Sequence, residues 1–421
     1  MRPRILAVLV VALLAVPVFA ATRMTYDIQG SPTAISWAPA AFPLRYEIDQ
    51  RVAQLNSGAV AMIDKAFAAW AAVPETDIRF ESRGVVAGAS TDAADRIVVS
   101  AADDLFKGQG AAAITTYSYD TTTGRMIDAD IRIDSSLFNG DLNAQVALQH
   151  EIGHVLGLDH SAVLSSIMFP YVGPGSAAPD FDSDDRIAIS QIYPKGDPSL
   201  MGATLEGRVM GDQGGIFAAQ VVAVNDHGQP VGTVLTNSAG EFTLNGIPAG
   251  RYRLYTEPLD GPVEIASLQG SWRQAKLVSF PTAFFGPAIQ VENGRVYGNL
   301  VATTAGAGQL NPKWVGAMRT GSEEMSLSTA PVTVSPGETV TLAVGGDGFT
   351  SGMTQFEVLN PAFRRISDFS WSSNYVRATF VVQSDAAPVS AVVLVQSGRE
   401  TAAITGAFRV HRDARGRAVR K

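Results

Sequence analysis

The chain of 421 residues contains no cysteine, which excludes disulfides, thiolate metal ligands and a lipid-anchored cysteine at a leader junction. Histidine is scarce, with five in the whole chain, and charged residues are only 17%. The formal charge is −8, and removing Arg2 and Arg4 with an N-terminal leader makes it −10, so nucleic acid is not an expected partner. No apolar run reaches the ~20 residues that a membrane-spanning helix needs. The run Ile5 to Val16 has twelve residues, follows Arg2 and Arg4, and precedes Val18-Phe19-Ala20. That is the layout of a secretory signal, so residues 1–20 are expected to be removed and the mature chain to be secreted, with no stable membrane span. An exported chain without disulfides must be held by packing, with bound metal ions as a further available means.

What is present points to several domains. The length is too great for one ordinary core. Forty glycines and 22 prolines imply many turns and much β structure. Phe42 to Asp49 alternates as a strand does, and Val60, Ile63, Phe67 and Trp70 form one stripe on a helix over 58–72. Further strands are expected at 78–80, 96–100, 111–119 and 126–134, completing a sheet of about five. A helix from Asp141, its expected N-cap, runs to Leu156, and a last short helix spans 181–193 with acids at its N-terminus. From 202 onward, short strands separated by Gly, Asn and Pro imply β-sandwiches.

The chemistry concentrates in one place. Three of the five histidines lie within the eleven residues His150 to His160. On a helix His150 and His154 share a face, so both imidazoles can reach one metal ion, with Glu151 beside them as a base. A third ligand cannot follow on the same helix. Gly157 can adopt φ > 0, turn the chain and return His160 from another side. Three imidazoles plus a water are an open, hydrolytic zinc site. A chance H-E-x-x-H in a chain this poor in histidine is expected on the order of 10⁻³ times.

His150-Glu151-x-Gly153-His154-x-Leu156-Gly157-x-x-His160-Ser161 resembles the zinc motif of the matrixins, the metzincin peptidases that include the matrix metalloproteinases. The resemblance covers about residues 33–194. It implies that Met168 is the methionine of the turn beneath the zinc, that Asp185 hydrogen-bonds that turn, and that Pro170, Tyr171 and Val172 wall the pocket for the side chain after the cut. The strand 111–119 would pair with an extended substrate. Pro170 stands where astacins and serralysins carry a tyrosine ligand. The family's Asp-x-His-x-Asp segment is Asp130-Ile131-Arg132-Ile133-Asp134 here, and Arg132 cannot ligate, so no second zinc is expected; Asp130 and Asp134 are candidate calcium ligands. No cysteine latch and no room for a folded pro-domain are expected between Ala21 and Trp37. Gly207 to Val209, Asn225 to Gly228, Gly240 to Phe242 and Pro248 to Tyr252 resemble carboxypeptidase regulatory-like modules, with Asn225 where the pattern has aspartate. Gly346-Asp347-Gly348-Phe349 resembles an immunoglobulin-like domain of the IPT/TIG kind.

The expected architecture is therefore an α+β metzincin catalytic domain, with about five strands and three helices, followed by two all-β sandwich domains. The expected divisions are a signal at 1–20, a matrixin-like peptidase domain at 21–198, a regulatory-like sandwich at 202–304, a linker at 305–328, an Ig-like sandwich at 329–410 and a basic tail at 411–421. The expected activity is secreted metalloendopeptidase hydrolysis of protein or peptide substrates with one catalytic zinc. Two rival readings use the same residues: an adhesive or ligand-binding surface protein with a vestigial metal domain, and a zinc hydrolase of non-peptide amides. The binding target of the β modules is open.

Overall fold

A computed structural model describes residues 23–28, 31–91, 96–102, 111–138, 143–172, 181–197, 201–319, 321–322 and 324–411. The expected signal and nearly all of the expected basic tail lie outside them. None of the helices among the described residues is long and apolar enough to cross a membrane.

The first unit is a sheet with helices packed on it. Its strands are β3 (Leu44–Asp49), β4 (Phe80–Val86), β5 (Ile97–Ala101), β6 (Ala113–Tyr119) and β7 (Met126–Ile133), in the order β4-β3-β5-β7-β6, after a small hairpin of β1 (Thr25–Ile28) and β2 (Ser31–Ala34). All neighbours in the five-stranded sheet are parallel except β6, which runs antiparallel to β7 and forms an edge. An edge strand keeps one row of backbone groups available for another chain. β6 follows β7 in register from Ala113 opposite Ile133 to Ser118 opposite Asp128, then shifts by one residue so that Tyr119 lies opposite Met126.

Four α-helices occur among the described residues, rather than three. The additional one is α1 (Gln50–Leu55), started directly at the end of β3 because the Asp49 side chain caps Arg51 N. α2 (Ala59–Ala71) buries Ile63, Phe67 and Trp70, so the three-and-four spacing reads directly as the face on the sheet. α3 (Ala144–Val155) is different: every residue from Gln145 to Val155 is buried. Its cap is Asn143, which accepts from Gln145 N and Val146 N, rather than Asp141, which lies outside the described residues. α4 (Ser183–Ile192) starts in a capping box made by Asp182 and Asp185.

Beyond residue 200 the described chain forms two pairs of sheets. In the second module, strands 220–225, 230–235 and 250–257 face strands 203–211, 241–247 and 296–303 around Leu205, Val221, Phe242 and Leu254. The third module packs its two sheets around Val315, Leu342, Phe380 and Phe408. The expected linker is corrected here. Within it, Asn311–Arg319 is a nine-residue strand in the middle of a sheet, pairing with Ser326–Ser328 on one side and Thr339–Asp347 on the other. Its burial alternates only partly, with Val315, Gly316 and Ala317 all buried, so the period of two that identifies a half-buried strand is weak.

Both modules are fastened to the first unit by buried polar contacts. Asp184 accepts from Ser161 Oγ at 2.8 Å and from Thr233 N and Oγ1 of the second module at 2.9 Å each. Asp182 accepts from Ser390 Oγ of the third module at 2.8 Å, and Leu164 N donates to Thr405 O at 2.9 Å. The loop between His160 and Met168 is thus held from both modules.

Candidate metal centre

The helix bearing the site is fixed before any metal is considered. Trp70 Nε1 donates to Gln149 O and Trp37 Nε1 to Val155 O, both at 2.8 Å. Tyr193 OH donates to Leu156 O at 2.9 Å. At the C-terminus Gly157 N donates to His154 O and Leu158 N to Gly153 O, the pair of bonds that closes a helix through a left-handed residue. Gly157 has φ of 92° there, and a Cβ on it would lie 2.4 Å from Ile35 O, so this turn requires glycine twice over. Gly153 is needed for packing: a Cβ would come 2.2 Å from Met168 Sδ and 3.2 Å from the Trp70 ring.

The turn brings His160 back to His150 and His154, and one potential ligand atom of each lies within 4.8 Å of the others. Each ring is also oriented by a backbone carbonyl. His150 Nδ1 meets Ile167 O at 2.8 Å, His154 Nδ1 meets Leu158 O at 2.8 Å, and His160 Nδ1 meets Ser267 O at 2.5 Å. A carbonyl can only accept, so each Nδ1 carries the hydrogen. The neutral rings then direct bare Nε2 lone pairs inward, and those of His150 and His154 stand 3.1 Å apart. Burial holds all three imidazoles below their ordinary pKa, His150 down to about 3, and their proximity to one another adds to it for His150 and His154. Three neutral acceptors facing one point suit a cation, and an all-nitrogen set with no thiolate suits zinc.

Glu151 is 7% exposed, and its burial pushes the carboxyl up to about 7, opposed by Thr115. Thr115 Oγ1, on edge strand β6, lies 2.6 Å from Glu151 Oε2 and 3.0 Å from Glu151 O, so it can fix the carboxylate against the helix. Below the histidines, Met168 is 2% exposed. Asp185 binds its turn, accepting from Ile167 N at 3.0 Å and Ser166 Oγ at 2.5 Å. Past the turn, Pro170 is partly buried, Tyr171 is exposed and Val172 packs on the core.

The candidate calcium pair does not converge. Asp130 and Asp134 are four residues apart along an extended segment, about 13 Å at ~3.3 Å per residue. Asp130 is buried, not solvated, and accepts from Val98 N at 2.7 Å, while Asp134 accepts from Ser136 N at 2.8 Å. These acids tie β7 to β5 and start a 3-10 turn. Arg132, which stands between them, is partly buried.

Thr115, Asp159, Ser267 and Gln269 were not singled out by the sequence. Asp159 Oδ1 accepts from His160 N at 2.7 Å and Oδ2 from Gln269 N at 2.8 Å. Tyr117 OH, on β6, donates to Gln269 Oε1 at 2.8 Å. Asp159 carried a signal in its place within the histidine motif, and Thr115 only in its place on the strand expected to pair with substrate.

A sheet ending in an antiparallel edge strand, above a helix that turns on glycine to return a third histidine over a buried methionine, defines the metzincin class. Residues 36–194 match the matrixin family model and form a matrixin domain. Over 98 residues, 21% of this chain and 13% of the other, the sequence is 34% identical to Matrix metalloproteinase-2 of Drosophila melanogaster. Metalloendoproteinase 2-MMP of Arabidopsis thaliana is 33% identical over 106 residues, 23% of this chain and 27% of that protein. The chain therefore spans less than two thirds of the length of these relatives. Among solved structures, the major pilin subunit of Bacillus cereus aligns with 49% of this chain and 68% of its own at 8% identity, with a TM-score of 0.14, below the level of a shared fold.

Proposed function

We propose that the protein is an exported zinc-dependent endopeptidase that cleaves extended protein or peptide substrates, with Glu151 as general base. One observation carries the reading: a buried carboxylate, held by Thr115, adjoins three imidazoles whose bare nitrogens converge. His150, His154 and His160 would hold the ion. When bound, zinc polarises the scissile carbonyl and lowers the pKa of water. Glu151 removes a proton from the attacking water and delivers it to the departing amine. Its burial favours that task, because a carboxyl pushed up to about 7 is a stronger base than an exposed one. β6 offers its edge to an extended chain, so unfolded or loop segments are the expected substrates. Pro170, Tyr171 and Val172 would border the pocket for the side chain after the cut. In this reading the peptidase unit ends near residue 198, and the two β modules bound it.

The test is Glu151→Ala in the chain lacking residues 1–20. The expected protein binds one equivalent of zinc and loses cleavage of a denatured protein substrate by 10² or more, as removal of a general base does. Undiminished cleavage by the zinc-loaded variant would refute the assignment. Wild-type zinc protein that hydrolyses only non-peptide amides would move the function to that chemistry.

A further inference from the structure

We infer that the second module is a working part of the metal centre: Ser267 is a positioning residue whose backbone carbonyl orients His160, so the matrixin domain binds zinc at full strength only with this module attached. The inference rests on the zinc reading above. His150 and His154 find their acceptors at Ile167 and Leu158, within the first unit. The acceptor for His160 is 107 residues away, at 2.5 Å, in a segment leading out of the second module's strand 250–257. Without it the His160 ring would be free to turn, or to take the tautomer that buries its lone pair away from the ion. Outer partners of this kind are worth about 10- to 100-fold in metal affinity.

The segment is built to hold this position. It comprises two short 3-10 turns, Ile265–Ser267 and Gly270–Gln274, with Leu268 and Trp272 buried. One carboxylate links it to the ligand, since Asp159 accepts from both His160 N and Gln269 N. Tyr117 OH grips the Gln269 side chain from β6 at 2.8 Å. On the other side the start of the described chain is threaded beneath it: Thr25 Oγ1 lies 2.6 Å from Ser271 Oγ, and Trp272 Nε1 donates to Arg23 O at 3.2 Å. The same segment reaches the turn after the helix through Met24 N, which donates to Gly157 O at 3.0 Å. Gly270 makes the approach feasible, with φ of 60° and a position where a Cβ would lie 1.7 Å from Thr25 O.

Gly270→Ala in the full secreted chain displaces the segment without altering any metal ligand. Gly286→Ala is the matched control, because Gly286 also has positive φ, of 100°, in the same module but meets nothing within 4 Å. Two readouts apply: the imidazole Nδ1–H resonances of the zinc-free protein, and zinc affinity by competition with a chromophoric chelator. Gly270→Ala should weaken the His160 Nδ1–H resonance and raise the zinc Kd about 10- to 100-fold, leaving the His150 and His154 resonances in place. Gly286→Ala should match wild type in both. If Gly270→Ala does not fold, Gln269→Pro replaces it, removing both the N–H given to Asp159 and the side-chain amide held by Tyr117, with the same expectation. A folded variant with an intact His160 resonance and wild-type zinc affinity overturns the inference. Failure of the wild type to bind zinc would sink the functional reading instead, and the zinc-free resonances would still decide the role of Ser267.

Discussion

The two helical histidines and the third one reach the same point by different means. His150 and His154 are set by the helix, by its closing turn and by the methionine loop, with acceptors 17 and 4 residues away in sequence. His160 leaves the helix and is steadied by another module. A motif can therefore carry a family's ligand spacing while part of its geometry is supplied from outside the family's domain. The modules are better regarded as a frame around the peptidase unit than as appendages, since Asp182, Asp184 and Asp159 each carry a bond into one of them.

The strongest way to break the contrast is Gly157→Ala. It disturbs both arms at once, because Gly157 precedes Leu158, the acceptor of His154, and begins the return to His160. Positive φ costs an alanine on the order of 1–3 kcal/mol, and here its Cβ would also meet the Ile35 carbonyl. The expected protein has a lower thermal midpoint and a large drop in bound zinc by metal analysis; a wild-type zinc content would show that the turn is not what places His160. A smaller change separates the base from the ligands. Thr115→Val keeps the shape of the side chain and removes its bond to Glu151, an interaction of about 1.5–3 kcal/mol when the partner is charged. Peptidase kcat should fall roughly tenfold or more with zinc affinity unchanged, and an equal fall in zinc affinity would mean that Thr115 supports the histidines instead.

What was legible in the sequence follows the same division. The spacing of the three histidines, the neighbouring Glu151, the turning glycine and the stripe of Ile63, Phe67 and Trp70 depend on residues close in sequence, so periodicity and motif expose them. The linker expectation failed because Asn311–Arg319 has little alternation and takes its register from strands on both sides. The calcium reading of Asp130 and Asp134 rests on two acids alternating along one strand, a pattern that does not reveal that Asp130 turns inward to a backbone N–H. Ser267 could not have been found. Its contribution is a backbone carbonyl, which every residue has, and only the packing of Leu268 and Trp272 says where it goes.

The smallest expected effect concerns the frame rather than the centre. Glu257, at the end of the strand 250–257 that leads to the Ser267 segment, is buried and accepts from Gln220 Nε2 at 2.7 Å and from Thr405 Oγ1 of the third module at 2.5 Å. Burial pushes its carboxyl up to about 7 from an ordinary 4.5, against those two hydrogen bonds. The folded chain therefore holds this proton more tightly than the unfolded chain does. Its contribution to stability is full below about pH 4.5 and is lost as pH rises through about 7. Glu257→Gln cannot lose a proton, so its thermal midpoint should gain on wild type by a few degrees between pH 5 and pH 8, with zinc affinity unchanged at pH 5. Parallel pH profiles for the two proteins would mean that Glu257 is ionised within the fold. A fall in wild-type zinc affinity over the same range, absent in Glu257→Gln, would tie the stacking of the modules to the orientation of His160.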